Sequence, residues 1–305
     1  MTNLSFGGNN EDVLLGTLAV LVIGSMLPRV LVVLALTCKS NAASLQPSET
    51  RQQWQDLQVI TLDSQGYRAK TVNYSYDQLL TLPMVTVKTD RDPNTNTPAT
   101  YTGIYISDLF EAFGADASLD VIGANRLDTY KQYYDRDYVA KHRPILLLKF
   151  DDKVPDDWPQ TEDRNMLGPY CVVHESFGPA QTIYGYVEQP RSMYGVVSLE
   201  LTSFSQSLGR FRPKENGNDP EVAKGQRIAV GSCSSCHNLG NVGGKMAGNP
   251  WSLLAVTAVN AKDKFRKKVK DPRLLNPTSN MTPHPEFDDK TFSALEAYFK
   301  EMPTE

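Results

Sequence analysis

The chain has 305 residues, 40% of them hydrophobic and 22% charged, with a net charge of −4 at pH 7. That balance excludes a disordered, collagenous or membrane-embedded protein, and the acidic total speaks against a nucleic-acid binder. The charge is uneven, summing to −6 over residues 44–215 and +2 over residues 216–305. At the N-terminus, Val13 to Leu36 is almost continuously apolar apart from Pro28-Arg29, and a bilayer span needs roughly 20 such residues. Read from Met26, Arg29 is a charged start, Val30 to Thr37 an apolar stretch and Ser40-Asn41-Ala42-Ala43 a small-residue cleavage site, which together make a signal peptide. Residues 1–43 are therefore expected to be a signal peptide or a membrane anchor, with Met26 the suspected start. Cys38 invites a lipoprotein reading, but Thr37 before it is a poor residue for that cleavage.

Residues 44–201 carry strand patterns. Val59-Ile60-Thr61-Leu62 runs into the polar turn Asp63-Ser64-Gln65-Gly66, and further strands are expected at Val85–Val87, Leu119–Ile122, Ile145–Phe150, Tyr170–Val173 and Val196–Leu201. Tyr76 to Leu82 and Ile106 to Phe113 have helical apolar spacing, with Ser75 and Ser107 as expected caps. Strands with scattered short helices predict a mixed α+β domain. Cys171 lies on one of these strands, where a lone thiol reads as a small buried hydrophobe. His142 stands alone, His174-Glu175 reads as an exposed loop pair, and Tyr130, Tyr133, Tyr134 and Tyr138 read as core or interface packing.

The order Tyr101-Thr102-Gly103-Ile104-Tyr105-Ile106-Ser107-Asp108-Leu109-Phe110, then Val121-Ile122-Gly123-Ala124, Leu146 to Phe150, Gly168-Pro169-Tyr170-Cys171-Val172-Val173 and Val196 to Leu201 resembles the molybdopterin-binding domain of the sulfite oxidase family. The family implies molybdenum held by one cysteine thiolate ahead of the Tyr101 element, a soft ligand suited to that metal. No cysteine lies between Ala43 and Thr102, which argues against bound molybdopterin and molybdenum chemistry. Thr202 to Asn218, rich in Ser, Gly, Pro and Asn, reads as a linker.

Beyond it, Asp219-Pro220-Glu221 is a helix start with an acidic N-cap and proline in the first turn. That helix leads into Cys233-Ser234-Ser235-Cys236-His237. Two thiols three residues apart followed at once by histidine is the spacing of covalent haem attachment, with the thiols reaching the vinyl groups and the imidazole binding iron. A zinc site needs a second ligand pair, which the chain lacks, and a thioredoxin-like motif wants a strand before it rather than a helix. The expected cofactor is one haem c on Cys233 and Cys236, with His237 as an axial ligand. For the sixth ligand, Met281 lies 44 residues after His237 in a proline-stiffened loop, far enough to reach the other haem face. Met246, only 9 residues after His237, and His284 are the rivals. Lys262, Lys264, Arg266, Lys267, Lys268 and Lys270 form a basic run, read as a solvated helix face or a docking patch for an acidic partner. Phe292, Leu295, Tyr298 and Phe299 predict a closing helix capped by Asp288 or Asp289.

The helix from Asp219 to Ser232, the haem motif, the glycine-rich stretch Gly240 to Gly248, the loop from Asp271-Pro272 to Met281-Thr282-Pro283 and the last helix ending Ala297-Tyr298-Phe299 resemble a class I cytochrome c. That resemblance implies a small all-α haem domain over residues 219–305, with His237 and Met281 as axial ligands, shuttling one electron. It also implies haem attachment outside the cytoplasm, in the periplasm, which agrees with the N-terminal segment. Three functions are open from sequence. They are an exported electron carrier whose N-terminal domain docks a redox partner, a haem-linked molybdenum oxidoreductase of the sulfite dehydrogenase type, and a redox sensor for a small ligand.

Overall fold

The computed structural model describes residues 45–161, 164–215 and 217–302, so the expected signal or anchor over residues 1–43 lies outside the described residues. Strands β1 (Leu57–Leu62) and β2 (Arg68–Tyr74) form a hairpin. Its turn is held by Asp63, whose Oδ1 accepts from the N–H groups of Gln65 and Tyr67 at 2.8 and 2.9 Å. Gly66 there takes a φ of +80°, a conformation that costs glycine nothing. Helix α1 (Tyr76–Leu79) opens with a capping box in which the Ser75 and Gln78 side chains each accept from the other's backbone N–H. Then follow β3 (Val85–Thr89), β4 (Ala99–Tyr105) and α2 (Ile106–Ala112). Ser107 does not cap α2. Tyr105 holds the N-cap position without a side-chain bond, and Ser107 Oγ turns to Asp108 instead.

Strands β5 (Val121–Arg126) and β6 (Lys131–Asp135) form a second hairpin, and Asp135 caps α3 (Arg136–His142). The sheet continues through β7 (Pro144–Phe150) and β8 (Tyr170–His174). The short pair β9 (Thr182–Ile183) and β10 (Tyr186–Val187) stands apart from it, and β11 (Met193–Thr202) completes it.

Nine strands make one mixed sheet in the order β2-β1-β11-β8-β7-β4-β3, with β5 also on β11 and β6 on β5. Among the described residues only β1 and β11 pair in parallel, Gln58 standing opposite Ser198. The apolar run in β7 shows why the sheet is covered on both faces. Side chains alternate along a strand, so Leu146 and Leu148 join one core with Leu57, Ile104, Leu109 and Phe110. Ile145 and Leu147 join another with Tyr101, Trp158 and Cys171.

Helices α4 (Pro220–Cys233), α5 (Trp251–Asn260), α6 (Lys262–Lys270) and α7 (Asp289–Lys300) form the C-terminal region, which completes an α+β architecture. Asp219 caps α4 and Asp288 caps α7. The helical core, centred on Trp251, Phe292, Tyr298 and Phe299, also takes in Val121, Tyr133, Ile183 and Tyr186 from the sheet region. The described residues accordingly form one compact unit. The stretch that reads as a linker is packed as well. Phe211 is fully buried with its ring 4.5 Å from that of Trp251, and its carbonyl accepts from Tyr298 Oη at 2.8 Å.

Candidate haem site

Helix α4 delivers the two thiols. Its first turn is satisfied by Asp219 and Pro220. Its last turn continues as far as the histidine, because the Cys233 carbonyl accepts from the N–H groups of Cys236 at 3.2 Å and His237 at 2.9 Å. Cys233 and Cys236 therefore stand one turn apart, and both thiols are free. Burial pushes the Cys233 thiol up to about 12 and raises that of Cys236. Such protonated thiols differ from the activated thiolate of a disulfide oxidoreductase.

The backbone after the motif orients the imidazole. Asn249 O lies 2.7 Å from His237 Nδ1. A carbonyl only accepts, so Nδ1 carries the proton and Nε2 is the nitrogen with a free lone pair. Burial lowers the imidazole's proton affinity and keeps it neutral, as a metal ligand must be. Further bonds from Gly244 N–H to Ser234 O (2.8 Å), Ala247 N–H to Cys236 O (3.1 Å) and Trp251 N–H to Asn238 O (2.7 Å) wrap residues 243–251 around the motif.

The candidates for the sixth ligand are placed differently. Met281 is half-buried and packs on the same apolar cluster as Cys233. Met246 is 38% exposed. His284 is engaged elsewhere, its Nδ1 lying 3.0 Å from Glu286 Oε1 and its ring stacked 4.6 Å from that of Phe287.

No protein-family model matches this chain, and no curated protein matches its sequence. The haem reading therefore stands on the residues themselves. Two free thiols one turn apart, beside a neutral histidine with Nε2 available, fit a covalently held haem. The one cysteine of the described sheet region does not fit a molybdenum ligand. Cys171 is buried, its thiol donates to Leu167 O at 3.3 Å, and burial holds it protonated well above the ordinary thiol range. It is core, not a ligand.

The sheet region meets the motif directly. The Lys131 N–H donates to Ser235 O at 3.1 Å, the Lys245 N–H to Thr129 O at 2.9 Å, and the Gly243 N–H to Tyr133 Oη at 3.1 Å. Tyr184 Oη donates to Glu221 on α4 at 2.6 Å and accepts from Lys224 at 2.7 Å. Of the four tyrosines, Tyr130, beside Ser235, and Tyr133 are thus at the contact with the helical region, while Tyr134 and Tyr138 lie in the sheet core.

His174 is not an exposed loop residue. It ends β8 half-buried, with Nε2 2.9 Å from Tyr138 Oη and Nδ1 3.2 Å from Ser192 Oγ. His142, at the end of α3, is buried between Tyr138 and Phe177, with Nε2 3.5 Å from Glu188 Oε1. Sequence spacing gives no sign that these two histidines meet. The sheet brings them together.

Proposed function

We propose that this protein is an exported c-type cytochrome that carries one covalent haem on Cys233 and Cys236 and passes single electrons, its N-terminal domain (residues 44–201) serving partner docking. The observation that carries the reading is the pairing of two one-turn-spaced thiols with an adjacent histidine whose Nδ1 is committed to Asn249 O, leaving Nε2 for iron. Bound there, the haem iron supplies reversible one-electron chemistry. His237 would bind the iron from the motif, and half-buried Met281 is the candidate for a second protein ligand. Cys233 and Met281 both pack against the helical core around Trp251 and Phe299, which would shield a haem there from water.

The partner proposed is an acidic redox protein. Lys264, Lys267 and Lys270 on α6 are exposed. The ion pairs of Lys262 and Arg266 go to Glu296 and Asp289 on α7, and none of α6's ion pairs among the described residues reaches the sheet region. The sheet region instead meets the motif through neutral hydrogen bonds, leaving the basic face for an external partner whose approach long-range attraction speeds.

The test is covalent attachment. Denatured wild-type protein should retain haem through acidified organic solvent, and the double variant Cys233→Ser, Cys236→Ser should lose it. Haem extracted from the wild type refutes the reading.

A further inference from the structure

The glycine-rich loop after the motif rides on the motif's own backbone. Gly243 has a φ of +87°, and a Cβ there would stand 2.6 Å from His237 O and 2.9 Å from Ser234 O. A Cβ on Gly244 would collide with Ser235 O. This loop and the motif therefore move together. What holds the loop from outside is a side chain of the sheet region, since Tyr133 Oη accepts the buried Gly243 N–H at 3.1 Å.

Tyr133 is itself firmly placed. It is buried on β6 beside Lys131, whose Nζ lies 5.6 Å from the centre of its ring and 3.0 Å from Glu200 Oε2 on β11. Burial keeps its phenol protonated. Its neighbours supply two more clamps, Lys131 N–H to Ser235 O and Lys245 N–H to Thr129 O. The β5–β6 hairpin thus holds the motif at residue 235 and the loop after it at residues 243 and 245.

Resting on the haem reading above, we propose that Tyr133 is a positioning residue of the haem site, contributed by the sheet region, which makes the β5–β6 hairpin a wall of that site rather than a surface for partners alone. The physical basis is the cost of an unmade bond. Removing the hydroxyl leaves the buried Gly243 N–H without an acceptor, the loop loosens, and water gains access to the side of the site that carries His237. Water favours the more highly charged oxidised iron, so the reduction potential falls.

The experiment uses the full chain with Tyr133→Phe, which keeps the ring. Tyr170→Phe serves as the control, because Tyr170 is equally buried and bonds a backbone carbonyl, Gln55 O, away from the motif. Covalent haem content, midpoint potential and amide exchange at Gly243 are measured. Tyr133→Phe should keep its haem, show a potential below that of the wild type, and exchange the Gly243 amide about tenfold faster. Tyr170→Phe should lose stability and leave both readings unchanged. An unmoved potential in Tyr133→Phe, an equal shift in both variants, or fast Gly243 exchange in the wild type overturns the proposal. Wild-type protein without covalent haem overturns the haem reading and takes this proposal with it, a result distinct from the other three.

Discussion

Replacing Gly225 by alanine tests the helix crossing that positions the thiols. A Cβ at residue 225 would stand 2.6 Å from the Ala294 carbonyl carbon and 2.7 Å from Tyr298 Cβ, and closer still to the Ala294 oxygen. Carbon atoms pack at about 3.5–4.0 Å, so α4 and α7 must part by about 1 Å. Backbone and Cβ atoms block the site, and no side chain can rotate away. Overpacking of this kind costs about 1–3 kcal/mol. Removing a mid-helix glycine returns about 0.5–1 kcal/mol through helix propensity. The expected net loss is about 1–2 kcal/mol, a fall in melting temperature of roughly 3–6 °C. Gly178→Ala is the matched control, because no atom lies within 4 Å of its Cβ position and its φ is ordinary. It should be neutral, or stabilising by up to about 1 kcal/mol. Thermal unfolding followed by circular dichroism reads both variants. If Gly225→Ala melts at or above the temperature of Gly178→Ala, the close crossing is not the constraint described.

Two further outcomes are expected. Met281→Ala should remove the weak long-wavelength sulfur-to-iron absorption of the oxidised protein and lower the potential, and Met246→Ala should do neither; the reverse pattern would move the ligand role to Met246. Burial, with His142 and Arg191 adding to it, lowers the His174 value to about 4, so this imidazole is neutral when folded and takes a proton once unfolded. The stability it carries is whole above about pH 6.5 and drains away as pH falls towards 4, by roughly 3 kcal/mol at most. Urea midpoints at pH 7.5 and 4.5 should differ less for His174→Gln than for wild type, and parallel pH dependences would refute the assignment.

Elements with redundant local signals were legible in the sequence. Helix α4 announces itself through Asp219-Pro220, α7 through Asp288 and its apolar spacing, and β7 and β11 through apolar runs that a two-faced sheet requires. The haem motif is readable because its chemistry fixes its spacing. Strand β2 is hard to see because its first three residues are exposed and its polarity matches that of a loop. Helix α5, Trp-Ser-Leu-Leu-Ala-Val-Thr-Ala-Val-Asn, mixes β-branched with apolar residues and resembles a strand until Trp251 is buried against α7. The linker composition of residues 202–218 concealed Phe211, whose burial depends on a partner, Trp251, far along the chain. The meeting of His142 with His174, and of Tyr133 with Gly243, is a product of tertiary arrangement that no local pattern encodes.

The parallel pair of β1 and β11 also sets an order of assembly. Gln58 pairs early with Asn73 across the hairpin, but its parallel neighbour comes only at Ser198, and β5 and β8 both rest on the same late strand. A chain emerging from its N-terminus therefore carries most of its strands without a centre until residues 193–202 arrive. Such long-separation pairing folds slowly, because the closure entropy is spent before the contacts form. Cys233 and Cys236 follow almost at once, so the sheet and the thiol-bearing helix become available within the same short interval. A truncation ending before Met193 should yield open strand edges prone to aggregation rather than a smaller stable sheet.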